Sequence, residues 1–239
     1  MQQHYLAATK MKIKADLHIH TAYSDGRGTI REVVAAAKKA GLDAIAITDH
    51  NTSKGYFIAR RIAENLIVIP GFEATTTAGH VIVLGVVKRS DRKLVLPYEE
   101  LIERVEELGG VTILAHPAIH ARHLKKWIQC KPTAVEVINA LYPLPKIQTH
   151  ISMKIAKKLN RPTTAGSDAH QPNQTGKAYI TIEVNKPAIE EILEAIRKGK
   201  TVIGGSFSPL KVRIISGLNY MISSMINATQ KKSLYRKSI

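Results

Sequence analysis

Six of the ten histidines stand where an apolar run ends or an adjoining loop begins, and carboxylates accompany them. The first such run closes on Asp16-Leu17-His18-Ile19-His20. Residues i and i+2 of a strand point to the same face, so His18 and His20 can reach one ligand. Imidazole nitrogen suits zinc, manganese or iron. Tyr23-Ser24-Asp25-Gly26 follows, which puts Asp25 on a glycine-containing loop free to turn back over the strand ends. Then come Thr48-Asp49-His50, Pro70-Gly71-Phe72-Glu73, Gly79-His80, Ala115-His116-Pro117 and Gly166-Ser167-Asp168-Ala169-His170. His4, His120, His123 and His150 lie away from such positions. A lone histidine at a strand end is usually a neutral, hydrogen-bonded ring, and an isolated His-x-His means little. A series of them at successive strand ends is different. Titratable side chains buried together without partners would each cost roughly several kcal/mol or change protonation state. Bound cations remove that conflict. The chain offers no Walker-type phosphate loop and no nucleophile elbow, and Cys130, with no evident activating partner, reads as structural.

Positioning such a set needs many strand ends at one mouth. Short apolar runs alternate with amphipathic stretches along the chain. Strands are expected at Ile13–Leu17, Ala44–Thr48, Leu66–Ile69, Val81–Val87, Val111–Ala115, Ala134–Ile138, Thr163–Gly166 and Thr201–Ile203. Thr29–Ala40 reads as a helix with a Thr29/Glu32 capping box and Gly41 as its stop. A second helix falls near Gly55–Asn65. A third starts at Pro97, with Leu101, Ile102, Val105 and Leu108 on one face and Gly109-Gly110 after it. Pro145–Leu159 carries Ile147, Ile151 and Ile155 on one side, and Pro187–Lys198 buries Ile189, Ile192, Leu193 and Ile196. Repeated strand–helix units argue for a parallel sheet with helices outside. The polar strand ends favour a barrel, whose active sites lie at that face.

A chain of 239 residues suits one large α/β domain. With one cysteine it can form no internal disulfide, which fits a reducing compartment. Met1–Lys14 has no signal-peptide core and no apolar run is long enough to span a bilayer, so a soluble, cytoplasmic protein is expected. The net charge of +16 favours anionic partners. Lys211–Ile239 holds six of the cations and no acid. Within it Ile214, Ile215, Leu218, Met221, Ile222, Met225 and Ile226 recur at helical spacing, ahead of Lys231, Lys232, Arg236 and Lys237. The expected division is therefore 1–210 as the main domain and 211–239 as an amphipathic helix, packed on it, with a basic tail.

The motifs Asp16-Leu17-His18-Ile19-His20-Thr21 with Ser24-Asp25-Gly26, Thr48-Asp49-His50, Ala115-His116-Pro117 and Gly166-Ser167-Asp168-Ala169-His170 resemble, in order, those of the polymerase and histidinol phosphatase (PHP) superfamily. Val68–Val87 looks like its branch of small stand-alone phosphoesterases. The resemblance spans about Lys12 to Gly205. It implies a distorted seven-stranded TIM-like (β/α) barrel with two to three divalent ions, manganese, zinc or iron. By matching motif, His18, His20, Glu73 and Asp168 would hold the first ion. Glu73 would bridge to a second, completed by His80 and His116. Asp25, His50 and His170 would hold the third. Some members carry histidine where Asp25 stands, and the spacing from the bridging acid to His80 varies in the family.

The implied activity is phosphate-ester hydrolysis through a metal-activated hydroxide, on phosphomonoesters or nucleotide and oligonucleotide esters. Asp168 and Glu73 would carry the catalysis, with Asp49 supporting a ligand or capping its loop. Arg27, Lys54, Arg122 and Lys177 lie near the motifs and are candidates to hold phosphate; Glu136 and Asn139 end a strand and are candidate pocket residues. The alternatives are a histidinol-phosphate-type metabolite phosphatase, a metal-dependent amidohydrolase and a non-catalytic RNA-binding subunit. No lysine stands at a middle strand end to bridge an amidohydrolase pair, and a non-catalytic subunit has no reason to keep nine ligand-type side chains.

Overall fold

The structure is a computed structural model and describes residues 10–88 and 95–218. Ten strands are described: β1 (Met11–Ile19), β2 (Ala44–Ile47), β3 (Ile67–Ile69), β4 (Gly71–Thr76), β5 (Gly79–Leu84), β6 (Val111–Leu114), β7 (Ala134–Asn139), β8 (Thr163–Gly166), β9 (Ala178–Val184) and β10 (Val202–Gly205). The helices are α1 (Ile30–Lys39), α2 (Lys54–Ile62), α3 (Tyr98–Glu107), α4 (Leu124–Gln129), α5 (Pro145–Leu159) and α6 (Ile189–Arg197). Two 3-10 helices, Pro117–His123 and Pro172–Gln174, lie in loops.

The expected seven-stranded barrel is not formed. Among the described residues the strands make two mixed five-stranded sheets, ordered β10-β9-β1-β2-β3 and β4-β5-β6-β7-β8, with no closed barrel. Two strands were absent from the strand–helix reading, and both run antiparallel. β4 pairs with β5 as a hairpin, and β9 lies between β1 and β10. Pro70 separates β3 from β4. Without an N–H it cannot extend a ladder, so the chain passes there from one sheet to the other. Beyond that the sheets meet at two isolated bridges, Ile19–Ala169 and His50–Glu73.

The two sheets enclose a common core. Ile13, Ala15, Leu17, Ile180 and Ile182 of the first face Ile82, Leu84, Ile113 and Ala134 of the second, with Ile192 and Ile196 of α6 alongside. Helices α1 and α2 cover the first sheet through Val33, Val34, Ala37, Tyr56 and Ala59. Helices α3, α4 and α5 cover the second through Leu101, Val105, Trp127, Ile155 and Leu159. The Thr29/Glu32 capping box forms as expected. Two apolar positions assigned to buried faces are exposed. Leu108 sits at the C-cap of α3, past its last turn, and Ile147 in the first turn of α5, ahead of the turns that meet β7.

Residues 210–218 are helical, and Arg213 ties this helix down by donating to the carbonyls of Ser208, Tyr142 and Pro143. Ile214, Ile215 and Leu218 are about half-exposed there. Met221, Ile222, Met225, Ile226 and the basic tail lie outside the described residues. No helix among the described residues is long and apolar enough to cross a membrane.

Candidate metal centre

All nine residues singled out as metal ligands converge on one cluster. Glu73, on β4, is its centre. Its Oε1 lies 3.1 Å from His116 Nε2, 3.3 Å from His80 Nδ1 and 3.6 Å from His18 Nε2. Its Oε2 lies 3.0 Å from His50 Nδ1 and 3.4 Å from His20 Nε2. Asp168 Oδ1 is 3.4 Å from His18 Nε2 and 3.2 Å from His20 Nε2. Asp25 stands on the outer side, with Oδ2 3.4 Å from His50 Nε2 and 3.2 Å from His170 Nε2. Four groupings of these donors have ligand atoms close enough to share an ion: His18, His20 and Asp168; His18, Glu73 and His116; His50, Glu73 and His80; and His20, Asp25, His50 and His170.

Local backbone features aim these side chains. The pairing of β1 with β2 shifts register between Asp16 and Ile19, across His18. Such irregularities re-aim side chains and are common beside functional sites. Asp16 accepts from the N–H groups of His18, Ser167 and Gly176, tying β1 to the strand end that carries Asp168. Burial pushes the Asp16 carboxyl up to about 6, against the pull of those donors. The loop after His20 turns back as the glycine suggested. The N–H groups of Ser24 and Gly26 both donate to the Thr21 carbonyl. A Cβ on Gly26 would lie 2.6 Å from the His20 backbone, so only glycine allows this approach. Asp49 is fully buried and committed to the same loop. Its Oδ1 accepts from Thr21 N–H and Ser24 Oγ, and its Oδ2 from Thr21 Oγ1. Asp49 thereby holds Asp25 over the strand ends.

His116 and Asp168 both have left-handed backbones, with φ of 30° and 53°. For a histidine this is a strained conformation. Glu136, on β7, helps hold it by accepting the His116 N–H at 2.9 Å with Oε2. Its Oε1 lies 2.9 Å from His18 Nδ1. A carboxylate can only accept there, so Nδ1 carries a proton, and His18 Nε2, which faces Glu73 and Asp168, is the nitrogen placed to take an ion. His170 is oriented the same way, with Nδ1–H donating to the Asp168 carbonyl at 2.8 Å. Histidines that bind metals are usually fixed by such partners. Asn139 donates from Nδ2 to Glu136 and to Asp168 Oδ2, so one buried network joins His18, His116 and Asp168.

Charge in the cluster is mutually compensated. Burial opposes ionisation of Glu73, yet His50, His80 and His18 hold it well below the usual carboxylate range. Asp168 and Asp25 are likewise held low against burial, Asp168 chiefly by His18 and Asp25 chiefly by His170. Despite burial, Asp168, Glu136 and Glu73 raise His18, and Glu73 and Asp25 raise His50. His170 is pushed up to about 9 by Asp25 and Asp168, again against burial. Burial dominates at His20 and His80, which are lowered.

The donor set fits divalent metal ions. Seven buried side-chain atoms here have no hydrogen-bond partner: His18 Nε2, His20 Nδ1 and Nε2, His50 Nδ1, Glu73 Oε2, His80 Nδ1 and His116 Nδ1. Buried polar atoms are rarely left so, and a cation is what lone pairs converging in this way would accept.

The candidate phosphate-holding residues are placed less uniformly. Arg27 is exposed, and its N–H donates to the His170 carbonyl, which sets it beside Asp25. Arg122 is exposed and donates from Nε to His123 Nε2. Lys177 is half-buried, and neither it nor Arg27 forms an ion pair among the described residues. Lys54 is exposed at the start of α2. Asn139 is buried within the network above. Glu136, expected as a pocket residue at a strand end, gains a definite place there, bonded to His18 and His116. One residue that the strand-end pattern did not assign joins the cluster as well: His120, buried against His80 and His116 with ring centroids 5.3 and 5.6 Å away. Burial, with His116 and His80 beside it, pulls the His120 imidazole down to about 2. Its signal in the sequence is the spacing His116-Pro-x-x-His120, which strand-end logic passes over.

A family profile described as PHP-associated matches residues 147–201. The chain is 37% identical over 118 residues to an uncharacterized protein of Methanocaldococcus jannaschii, covering 44% of this chain and 68% of the relative. It is 27% identical over 157 residues to a phosphoribosyl 1,2-cyclic phosphate 1,2-diphosphodiesterase of Eggerthella lenta, covering 53% of this chain and 58% of that one. The fold is similar to that of a Bacteroides vulgatus two-domain protein containing a predicted PHP-like metal-dependent phosphoesterase. That match has a TM-score of 0.67 and 20% identity, and covers 82% of this chain and 66% of the other. The chain thus spans about two thirds or less of the length of these proteins.

Proposed function

The chain belongs to the polymerase and histidinol phosphatase (PHP) superfamily, and on that footing we propose that it is a metal-dependent phosphoesterase acting on phosphomonoesters or on nucleotide and oligonucleotide phosphate esters. The observation that carries this reading is the group of seven buried, unpartnered nitrogen and oxygen atoms at the meeting of the two sheets. In this reading His18, His20, Glu73 and Asp168 hold one ion. Glu73 extends to a second with His80 and His116, and Asp25, His50 and His170 hold a third. Mixed imidazole and carboxylate donors suit manganese, zinc or iron. Ions there would supply positive charge for phosphoryl oxygens and lower the pKa of water.

The protein's own contribution is placement. Glu73 and Asp168 present ionised oxygens. Asp49 fixes the loop bearing Asp25. Asn139 acts through Asp168, to which it donates. Arg27, Arg122 and Lys177 are the cations available to meet an anionic ester. The net charge of +16 favours such a substrate, as does the phosphate-ester chemistry in the Eggerthella relative's name.

The test is a turnover screen across nucleotides, nucleoside bisphosphates, short RNA and histidinol phosphate, with protein loaded with Mn²⁺, Zn²⁺ or Fe²⁺. Asp168→Asn keeps the volume and removes the charge. It is expected to lower kcat by at least about a hundredfold, the upper end for losing a partner of a metal site, while circular dichroism stays unchanged. Near-normal turnover in this variant overturns the reading.

A further inference from the structure

His80, His116 and His120 each offer one ring nitrogen, and these three nitrogens lie within 4.8 Å of one another. The ring centroids form a nearly equilateral triangle with sides of 5.3, 5.3 and 5.6 Å. A tetrahedral ion with metal–nitrogen distances of about 2.0–2.1 Å would need only a modest closing of that triangle. His80 Nδ1 and His116 Nδ1 are both buried without a hydrogen-bond partner.

The place of His120 is built by the backbone on both sides. Gly79 has φ of +95°, and a Cβ there would lie 3.0 Å from the His120 ring. The hairpin between β4 and β5 thus leaves a space that the imidazole fills. On its own side His120 departs from helical geometry within the Pro117–His123 3-10 helix, with φ −111° and ψ 18°. That kink lies four residues after His116, and the His120 residue is only 6% exposed.

We infer that His80, His116 and His120 form a three-imidazole site for a nitrogen-preferring divalent cation such as Zn²⁺ or Co²⁺, with His120 a ligand additional to the nine. The inference rests on the proposed reading in taking His80 and His116 as ligands. It adds selectivity to that reading. With His120 the ion that Glu73, His80 and His116 hold in that reading has three imidazoles to one carboxylate, whereas the sets built on Asp168 or Asp25 hold proportionally more carboxylate oxygen and suit manganese; the nitrogen-rich set favours zinc, cobalt or nickel.

The experiment uses the full chain, stripped by chelator and titrated separately with Zn²⁺, Co²⁺ and Mn²⁺ against a competing chelator. Wild type is compared with His120→Ala and with His120→Asn, whose similar size guards against collapse of the site. Both variants are expected to weaken one Zn²⁺ by at least about tenfold, the lower bound for disturbing a metal site, and to change the Co²⁺ absorption spectrum. Mn²⁺ affinity should stay within about twofold. Added imidazole, which can enter the space left in His120→Ala, should restore the Zn²⁺ affinity. Unchanged Zn²⁺ affinity and an unchanged Co²⁺ spectrum in both variants overturn the inference alone. A wild-type chain that binds none of the three ions overturns the proposed function as well.

Discussion

Replacing Glu136 by Gln keeps nearly the same shape and removes one buried charge. The side chain now accepts from His18 Nδ1 at 2.9 Å with one oxygen, and from His116 N–H at 2.9 Å and Asn139 Nδ2 at 3.0 Å with the other. Glutamine has a single carbonyl oxygen. If it faces His18, its amide group meets the His116 N–H; if it faces His116, the amide meets His18 Nδ1–H. In the first case two donors confront each other in a buried place; in the second they do so unless His18 moves its proton to Nε2, and an unsatisfied buried donor costs about 1–3 kcal/mol. Relief of carboxylate burial offsets part of this, so a net loss of about 1–2 kcal/mol is expected for the metal-free protein. For a chain of this size that corresponds to a fall in Tm of about 2–8 °C. The larger effect falls on the metal centre. Either His18 is no longer held in its Nδ1–H tautomer or the strained φ of 30° at His116 loses its support. Metal affinity should fall about 10–100-fold. Chelator competition on wild type and Glu136→Gln, beside thermal unfolding of the stripped proteins, reads both quantities. Metal affinity within twofold of wild type would refute the idea that Glu136 positions the ligands.

Metal uptake should release protons. His170, pushed up to about 9, holds a proton near pH 7 that an ion must displace, and His18, His50 and His116 are shifted in the same direction. Apparent affinity should therefore rise with pH from 6 to 8, and binding heats should depend on the buffer's ionisation enthalpy; heats independent of buffer would refute this. Gly166→Ala would put a Cβ 2.5 Å from the His18 Cβ and 2.7 Å from Glu136 Oε1, so it should weaken metal binding while most of the fold survives, checked by titration and circular dichroism.

The sequence alone singled out the donor-type side chains. Ligand-type residues at the ends of apolar runs mark a shared mouth, because strand ends are where a packed layer of sheet and helix exposes its backbone termini. The nine residues that the family resemblance then assigned as ligands do meet in one cluster. Local signals of helix boundaries were equally legible, as with Thr29 and Glu32, since a capping box depends on residues only three apart. Strand direction was not legible. An apolar run does not say which neighbour it pairs with or in which sense, and that choice rests on contacts far along the chain. Reading every strand as parallel omitted Gly71–Thr76 and Ala178–Val184, whose antiparallel pairing helps divide the strands into two sheets. His120 entered the site for the same kind of reason, and Glu136, legible as a strand-end pocket residue, took its particular role in the same way. His120 is brought in by a kinked 3-10 helix and by the space at Gly79, distant in sequence. Glu136 matters through bonds to His18, on β1, and to His116, just beyond β6. Residue type and spacing fix which side chains can bind a cation, whereas their supports come from close approaches between segments far apart in the chain, which only the tertiary fold decides.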